Sequence, residues 1–142
     1  MKRKQIIFII IALLIVGVVG LLSYLNQSSN QGKELIYDSK NSFLNEFYFD
    51  KDNVVFECSI KVKNVTDKDL HFNMYANVKN EIGLVNEEFA TAYKKDSLEK
   101  EDFFIKANSE EMFKAYFKAK RGEKTTKSDR NPPKEIKFEI LK

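Results

Sequence analysis

The sequence predicts a mostly β protein, an antiparallel β-sandwich preceded by one N-terminal transmembrane helix. Three observations support this prediction. Residues 6–25 carry no charge and are almost entirely apolar. Residues 35–142 contain short stretches in which apolar and polar side chains alternate, as they do in half-buried strands. Residues that favour turns separate these stretches at regular spacing, which is typical of all-β sandwiches.

The predicted transmembrane helix follows three basic residues, Lys2, Arg3 and Lys4. Twenty helical residues span about 30 Å, the thickness of a bilayer core. Because basic residues flanking a span stay in the cytoplasm, we expect a cytoplasmic N-terminus and an extracellular C-terminal domain. A cleaved signal sequence is the alternative, although its apolar region is usually shorter, about 7–15 residues. The sequence therefore predicts a single-pass protein of the cell membrane, held there by residues 6–25.

The chain has 142 residues, so the part that follows the predicted helix has room for one domain. Residues 26–34 are small and polar, which predicts a linker between an anchor of residues 1–25 and a domain of residues 35–142. The net charge is +3, and the three basic residues of the N-terminus supply all of it. A protein that binds nucleic acid usually carries excess Lys and Arg in its folded part, so we expect no nucleic-acid partner.

Two consecutive strands have the clearest alternation, and a tight connection rich in Asn and Asp joins them at residues 64–69. Gly83 suits the positive φ of the turn that follows. Shorter strands are predicted at residues 35–37, 43–49, 89–93, 103–107 and 136–140. The buried faces of the two clear strands would consist of Phe56, Cys58, Ile60 and Val62, and of Leu70, Phe72, Met74, Ala76 and Val78.

Residues 109–121 fit two patterns. Their alternation of apolar and basic side chains indicates a strand, whereas Asn108 and Gly122 would suit the two ends of a helix. We favour the strand because the neighbouring segments are strands. Residues 121–134 form a long polar connection, and Pro132 and Pro133 are expected at the start of the last strand because they cannot donate ladder hydrogen bonds.

The single histidine and the single cysteine restrict the chemistry that this chain can perform. A zinc site needs several ligands, and no Gly-x-Ser-x-Gly motif supplies a nucleophile. We interpret His71 as a surface residue and Cys58 as a small buried apolar side chain. We therefore expect no cofactor, no metal site and no catalytic residue.

Acidic residues offer two further kinds of site. Asp50-Lys51-Asp52 and Asp67-Lys68-Asp69 could bind calcium, but they lack the Gly and the terminal Glu of an EF-hand, so we interpret them as turns. A carboxylate pair for glycoside hydrolysis is conceivable, although the sequence shows no sign of a sugar-sized cleft. Asn64-Val65-Thr66 also matches the acceptor sequence for N-glycosylation. The acids that we considered as a pair, and interpret as solvated charges, are Glu99, Glu101, Asp102, Glu110 and Glu111.

Basic residues are concentrated near the C-terminus, whereas residues 26–111 contain more acids than bases. Mixed solvated faces would account for this distribution. The alternative is a basic surface that contacts an anionic partner such as a wall polymer. The side chains predicted to form it are Lys118, Lys120, Arg121, Lys124, Lys127 and Arg130.

The segments VVFECSIKVKNVTDKDLHFNMYANV, FFIKANSEEMFKAYFKAK and RNPPKEIKFEI resemble a known class of domain. They are similar to the immunoglobulin-like domains of small membrane-anchored extracytoplasmic proteins of low-GC Gram-positive bacteria. In these domains a strand ending in Asn-x-Thr-Asp turns into the next strand, and a proline precedes the last strand. The resemblance covers about residues 43–142. It implies an immunoglobulin-like sandwich outside the membrane, and it implies no catalytic residue.

These observations predict a non-enzymatic binding or scaffolding module, tethered to the membrane, that contacts an envelope protein or a wall component. A sheet edge or the connection 121–134 would provide the contact, because loops on a rigid sandwich commonly carry recognition. The first alternative is a small envelope hydrolase or metal-dependent enzyme. The second is a sensor or an immunity-type protein with a dedicated ligand.

Overall fold

The computed structural model describes residues 3–30 and 33–142. The chain divides into two compact units, Met1–Lys33 and Glu34–Lys142. The first unit contains one helix, α1 (Arg3–Asn30), which includes residues 6–25 and the first five residues of the predicted linker. Many apolar side chains of α1 are exposed, among them Leu13 and Val16. In the part of the chain that the structure describes, no helix has the length and apolar character needed to cross a membrane.

The second unit is an antiparallel β-sheet, which confirms the mostly β class. A single 3₁₀ turn at Lys79–Glu81 accompanies the strands. The order along the sheet is β1-β2-β6-β4-β3-β5, and β7 pairs with β3. The strands are β1 (Leu35–Asp50), β2 (Asn53–Asn64), β3 (Leu70–Asn77), β4 (Phe89–Tyr93), β5 (Phe103–Ile105), β6 (Glu110–Lys120) and β7 (Ile136–Leu141).

The sheet folds over into two layers that share one core. Strand β4 makes this possible because it pairs with β6 and also with β3. The ring of Phe72 on β3 lies 5.6 Å from the ring of Phe113 on β6, although β6 pairs with β2 and β4. Side chains of β2 and β6 thus pack against those of β3, β5 and β7 in a single apolar cluster. The result is a sandwich-like arrangement.

The alternation that predicted the strands also predicts which side chains are buried. All nine apolar positions of the two clear strands are buried, and so are the inward positions Ala115, Phe117 and Ala119 of β6. Residues 109–121 therefore form a strand, as favoured. Asn73 is an exception on β3, since it is buried and donates a hydrogen bond of 2.7 Å to the carbonyl of Glu101.

The connection between β2 and β3 crosses from one layer to the other. The sequence predicts two strands joined by a tight connection. In the structure they are not neighbours, because β2 pairs with β1 and β6, whereas β3 pairs with β4, β5 and β7. Asn64, at the end of β2, is fully buried at this crossing. Its amide nitrogen donates to the carbonyls of Lys68 and Lys106, at 2.7 and 3.1 Å. Its oxygen accepts from the backbone N–H and the hydroxyl of Thr66, at 2.9 and 2.7 Å.

The two strands predicted at residues 35–37 and 43–49 are one strand with a bulge between them. The pairing of β1 with β2 shifts register between Asp38 and Phe43. Within the bulge, the hydroxyl of Ser42 donates to the carbonyl of Asp38 and accepts from the backbone N–H of Lys61. The Ser42 hydroxyl thus accepts the N–H of Lys61 in place of a backbone carbonyl of β1. Beyond the bulge the strand continues to Asp50.

Candidate functional site

The connection at residues 121–134, which we call the strap, crosses the segment before β4. Residues 122–134 form neither helix nor strand. The backbone N–H groups of Gly122 and Lys124 donate to the carbonyls of Leu84 and Gly83, at 2.8 and 2.9 Å. Gly83 has a φ of 89°, the positive value expected for it. A Cβ atom at position 122 would collide with the backbone of Gly83, so this crossing requires glycine.

Lys127 attaches the middle of the strap to the domain. Its side chain is only 4% exposed, and its ammonium lies 2.7 Å from a carboxylate oxygen of Glu81 and 2.6 Å from one of Asp129. Burial lowers the pKa of Lys127, but the hydrogen bonds to Asp129 and Glu81 outweigh it and raise the pKa overall. The hydrogen bond from Lys127 also lowers the pKa of Asp129, with help from the backbone N–H of Asn131. The lysine therefore stays charged inside the protein.

The C-terminal part of the strap is held at the start of β1. The hydroxyl of Tyr37 donates a hydrogen bond of 2.6 Å to the carbonyl of Pro133. Burial raises the pKa of Tyr37 to about 12, so this hydroxyl keeps its proton. The two prolines precede β7 and lie outside any strand, in agreement with the sequence. Just beyond the strap, the backbone N–H of Asn77 donates to the carbonyl of Glu135.

A small cleft of about 40 Å³ lies between the strap and the sheet. Its floor is apolar and consists of Leu44 on β1, Phe56 and Cys58 on β2, and Val78 directly after β3. The polar groups converge at one side, where Lys127 meets its two carboxylates. Other polar lining residues are Asn77, Asn80, Asn131 and Lys134.

The six cations predicted to contact an anionic partner do not form one surface. The side chain of Lys127 is turned inward from the strap and is 4% exposed. The side chain of Lys118 is 11% exposed, with its ammonium 3.4 Å from Asp50. Arg121 places its guanidinium 4.2 Å from the ring centre of Phe49. The remaining three are exposed: Lys120, Lys124 and Arg130.

Several of these cations gather at the end of the domain opposite the start of β1. Strand β1 begins at Leu35, and its turn into β2 lies at the other end of the ladder. Lys120 pairs with Asn53 beside this turn, and Arg121 pairs with Val85. Lys124 packs its aliphatic chain over Gly83. We call this surface, formed by the turn, the segment before β4 and the first residues of the strap, the far end.

The far end and its surroundings also expose apolar and aromatic side chains that the sequence analysis missed. Ile82, beside Gly83, is 79% exposed, and Leu98 is 78% exposed at the rim of a groove that Tyr48 and Lys51 also line. The ammonium groups of Lys95 and Lys114 lie 5.9 and 5.8 Å from the ring centre of the half-buried Tyr116. The sequence contained a signal for two of these residues, because Ile82 and Leu98 are apolar and lie in the connections between predicted strands.

The residues considered for catalysis or metal binding lie apart from this surface. His71 is exposed, as predicted, with its Nδ1 atom 2.8 Å from Asp102. Lys51 adopts a positive φ in the turn between β1 and β2, and Asp69 accepts from the backbone N–H of Ala107, so both Asp-Lys-Asp segments serve as turns. Among the described residues, no group of three or more His, Cys, Asp and Glu side chains is arranged to hold a metal.

Two of the acids that could form a carboxylate pair, Glu99 and Glu110, pair with lysines. Glu99 lies 2.7 Å from the ammonium of Lys94, and Glu110 lies 3.5 Å from that of Lys61. Both pairs are largely exposed, and exposed pairs contribute little to stability. These contacts match the interpretation of these two acids as surface charges.

Cys58 provides a first testable prediction. It is fully buried, as predicted, and burial raises its pKa from 9.0 to about 12. A raised pKa in the folded state stabilises the fold below pH 9, and this contribution is lost as the pH rises towards 12. We expect the free energy of unfolding to fall more steeply between pH 8 and about 11 in the wild type than in Cys58→Ala. Urea unfolding followed by circular dichroism would measure it, and identical slopes would contradict the burial of the thiol.

Comparison of the chain with protein-family models, curated proteins and solved structures gave no match.

Proposed function

We propose that this protein is a non-enzymatic binding module of the cell envelope, tethered to the membrane, whose far end contacts an anionic envelope component such as a wall polymer. The observation that carries this proposal is the clustering of Lys120, Arg121 and Lys124 beside the exposed side chain of Ile82. A cluster of positive charges on a surface attracts an anionic partner.

The membrane tether is supported by the sequence of residues 6–25, which contains twenty uncharged residues after a basic start. The exposed apolar side chains of α1 are consistent with an apolar surrounding. In this proposal the N-terminus lies in the cytoplasm and residues 35–142 lie outside the cell. Tethering raises the effective concentration of the domain for other components of the same envelope.

An immunoglobulin-like topology is part of the same proposal. The sheet that folds over into two layers supports it, and so does the resemblance of residues 43–142 to extracytoplasmic domains of Gram-positive bacteria. Loops at one end of such a sandwich commonly carry recognition, because the rigid layers hold them in place. The far end lies opposite the start of β1, to which the N-terminal segment connects. A binding surface there would point along the domain and away from that connection.

Binding of full-length protein in lipid nanodiscs to isolated Gram-positive cell wall would test the proposal. Replacement of Lys120, Arg121 and Lys124 by Gln removes three charges of the far end. At low salt we expect binding to weaken about tenfold, since each of these three surface charges contributes roughly 0.5 kcal/mol. We expect the difference to shrink as salt screens the charges.

The matched control removes the same charge elsewhere. Lys40, Lys68 and Lys106 are exposed and lie away from the far end, so their replacement by Gln should leave binding unchanged. Equal weakening in both triple variants would reduce the effect to net charge and overturn the assignment of the far end. If crosslinking on intact cells captured one stoichiometric membrane protein, the partner would be that protein and not a wall polymer.

A further inference from the structure

We propose that the strap is a lid, which opens locally to expose the apolar cleft and Cys58 while the β-sheet stays folded. This proposal does not depend on the binding of any partner at the far end. It concerns the segment between Lys124 and Glu135, whose two ends are fixed by backbone hydrogen bonds.

Between these two ends, the structure describes two side-chain contacts that hold the strap to the rest of the domain. One is the ion pair of Lys127 with Glu81, and the other is the hydrogen bond from Tyr37 to Pro133. Segments with few backbone hydrogen bonds to the rest of a fold open at a lower free energy than the strands around them. Structureless connections of this length are also uncommon in compact domains and usually have a function.

When the lid opens, Lys127 loses only one of its two carboxylate partners, Glu81 and Asp129. Asp129 belongs to the strap, and its carboxylate also accepts a hydrogen bond from the backbone N–H of Asn131 in the strap, so it can move together with Lys127. Glu81 belongs to the segment before β4 and stays with the domain. Lys127 therefore keeps one carboxylate partner when the lid opens, and it does not become an unpaired buried charge. This arrangement lowers the cost of opening below that of breaking a buried ion pair completely.

The floor of the cleft does not depend on the strap for its backbone structure. Phe56 and Cys58 lie on β2, which is paired on both sides, with β1 and with β6. Opening would therefore expose apolar side chains and one thiol on an intact sheet. Because Cys58 is fully buried when the strap is closed, its modification reports the opening directly.

Labelling of Cys58 with a maleimide, in the full-length protein at fixed pH, tests the proposal. If the lid opens locally, labelling of the wild type depends only weakly on urea at low urea concentrations, while circular dichroism stays unchanged. Lys127→Met keeps the aliphatic chain and removes the ion pair, and we expect it to label at least about tenfold faster. Tyr37→Phe removes only the hydrogen bond to Pro133, and we expect it to label about fivefold faster.

Lys118→Met is the matched control, because it removes a largely buried lysine with one carboxylate partner outside the strap. Its labelling rate should equal that of the wild type. The proposal is overturned if labelling of the wild type has the full urea dependence of global unfolding, or if Tyr37→Phe, folded by circular dichroism, labels no faster. Equal acceleration by Lys118→Met would also overturn it, since a general loss of stability would then explain the effect.

Discussion

Replacement of Phe72 by alanine should lower the free energy of unfolding by about 4 kcal/mol, the typical cost of removing a buried aromatic ring. Phe72 on β3 is fully buried at the centre of the core. Its ring stacks on Phe103 of β5 and meets the rings of Phe113 and Phe138 edge-on, each at a centroid distance of 5.6 Å. The four rings come from four strands, so the cavity would weaken the contact between the two layers. Urea unfolding followed by circular dichroism measures the loss.

Phe43→Ala is the matched control for this variant. Phe43 is also a strand phenylalanine, but it lies on the outer face of β1 and is 56% exposed. We expect its removal to lower the free energy of unfolding by less than about 1 kcal/mol, because an exposed ring contributes little buried apolar area. Comparable losses in the two variants would contradict the position of Phe72 between the layers.

The strands were largely predictable because alternation depends only on local sequence. Strand β4 has the predicted bounds, Phe89–Tyr93, and β2 and β3 bury the predicted side chains. For residues 109–121, alternation and helix-end signals competed. Pairing decided the outcome, since β6 pairs with β2 from Lys120 opposite Asn53 to Glu110 opposite Lys63. Such pairing joins residues far apart in the chain and leaves no local pattern.

The neighbours of each strand were harder to predict. Alternation tells which side of a strand is buried, but it does not tell which strand lies beside it. The connection after β2 has the length and composition of a tight turn, yet it crosses between layers because Asn64 bonds to both neighbouring connections. The hydrogen bond from the Asn64 side chain to the carbonyl of Lys106 joins residues far apart in the chain, so no local sequence pattern predicts it.

The candidate site was predictable only in part. Charge counting found the cations of the strap, but it could not separate exposed from internal ones. Lys127 is internal because Glu81 and Asp129 both reach its ammonium, and Glu81 is distant in sequence. Lys118 lies on the outer face of β6, but Asp50 at the end of β1 partners it. Burial of a lysine follows from such tertiary contacts, whereas composition reports only that the charge exists.

Replacement of Asn64 by alanine should lower the free energy of unfolding by about 3 kcal/mol, because it removes all four hydrogen bonds of a fully buried side chain. The carbonyls of Lys68 and Lys106 lose a donor, and the backbone N–H of Thr66 loses an acceptor. The three groups belong to the β2–β3 and β5–β6 connections, so the variant should loosen both at once. Urea unfolding gives the magnitude, and faster exchange of amide hydrogens at residues 64–69 and 106–109 gives the location.

Asn45→Ala supplies the comparison, because Asn45 is exposed and makes one hydrogen bond, to the hydroxyl of Ser59. Its loss should cost less than about 1 kcal/mol. A small loss at Asn64, similar to that at Asn45, would mean that the crossing between layers does not depend on this amide. A large loss assigns the Asn-x-Thr sequence of residues 64–66 a structural role. The match to a glycosylation acceptor would then follow from the need of the fold for a buried amide and a hydroxyl two residues later.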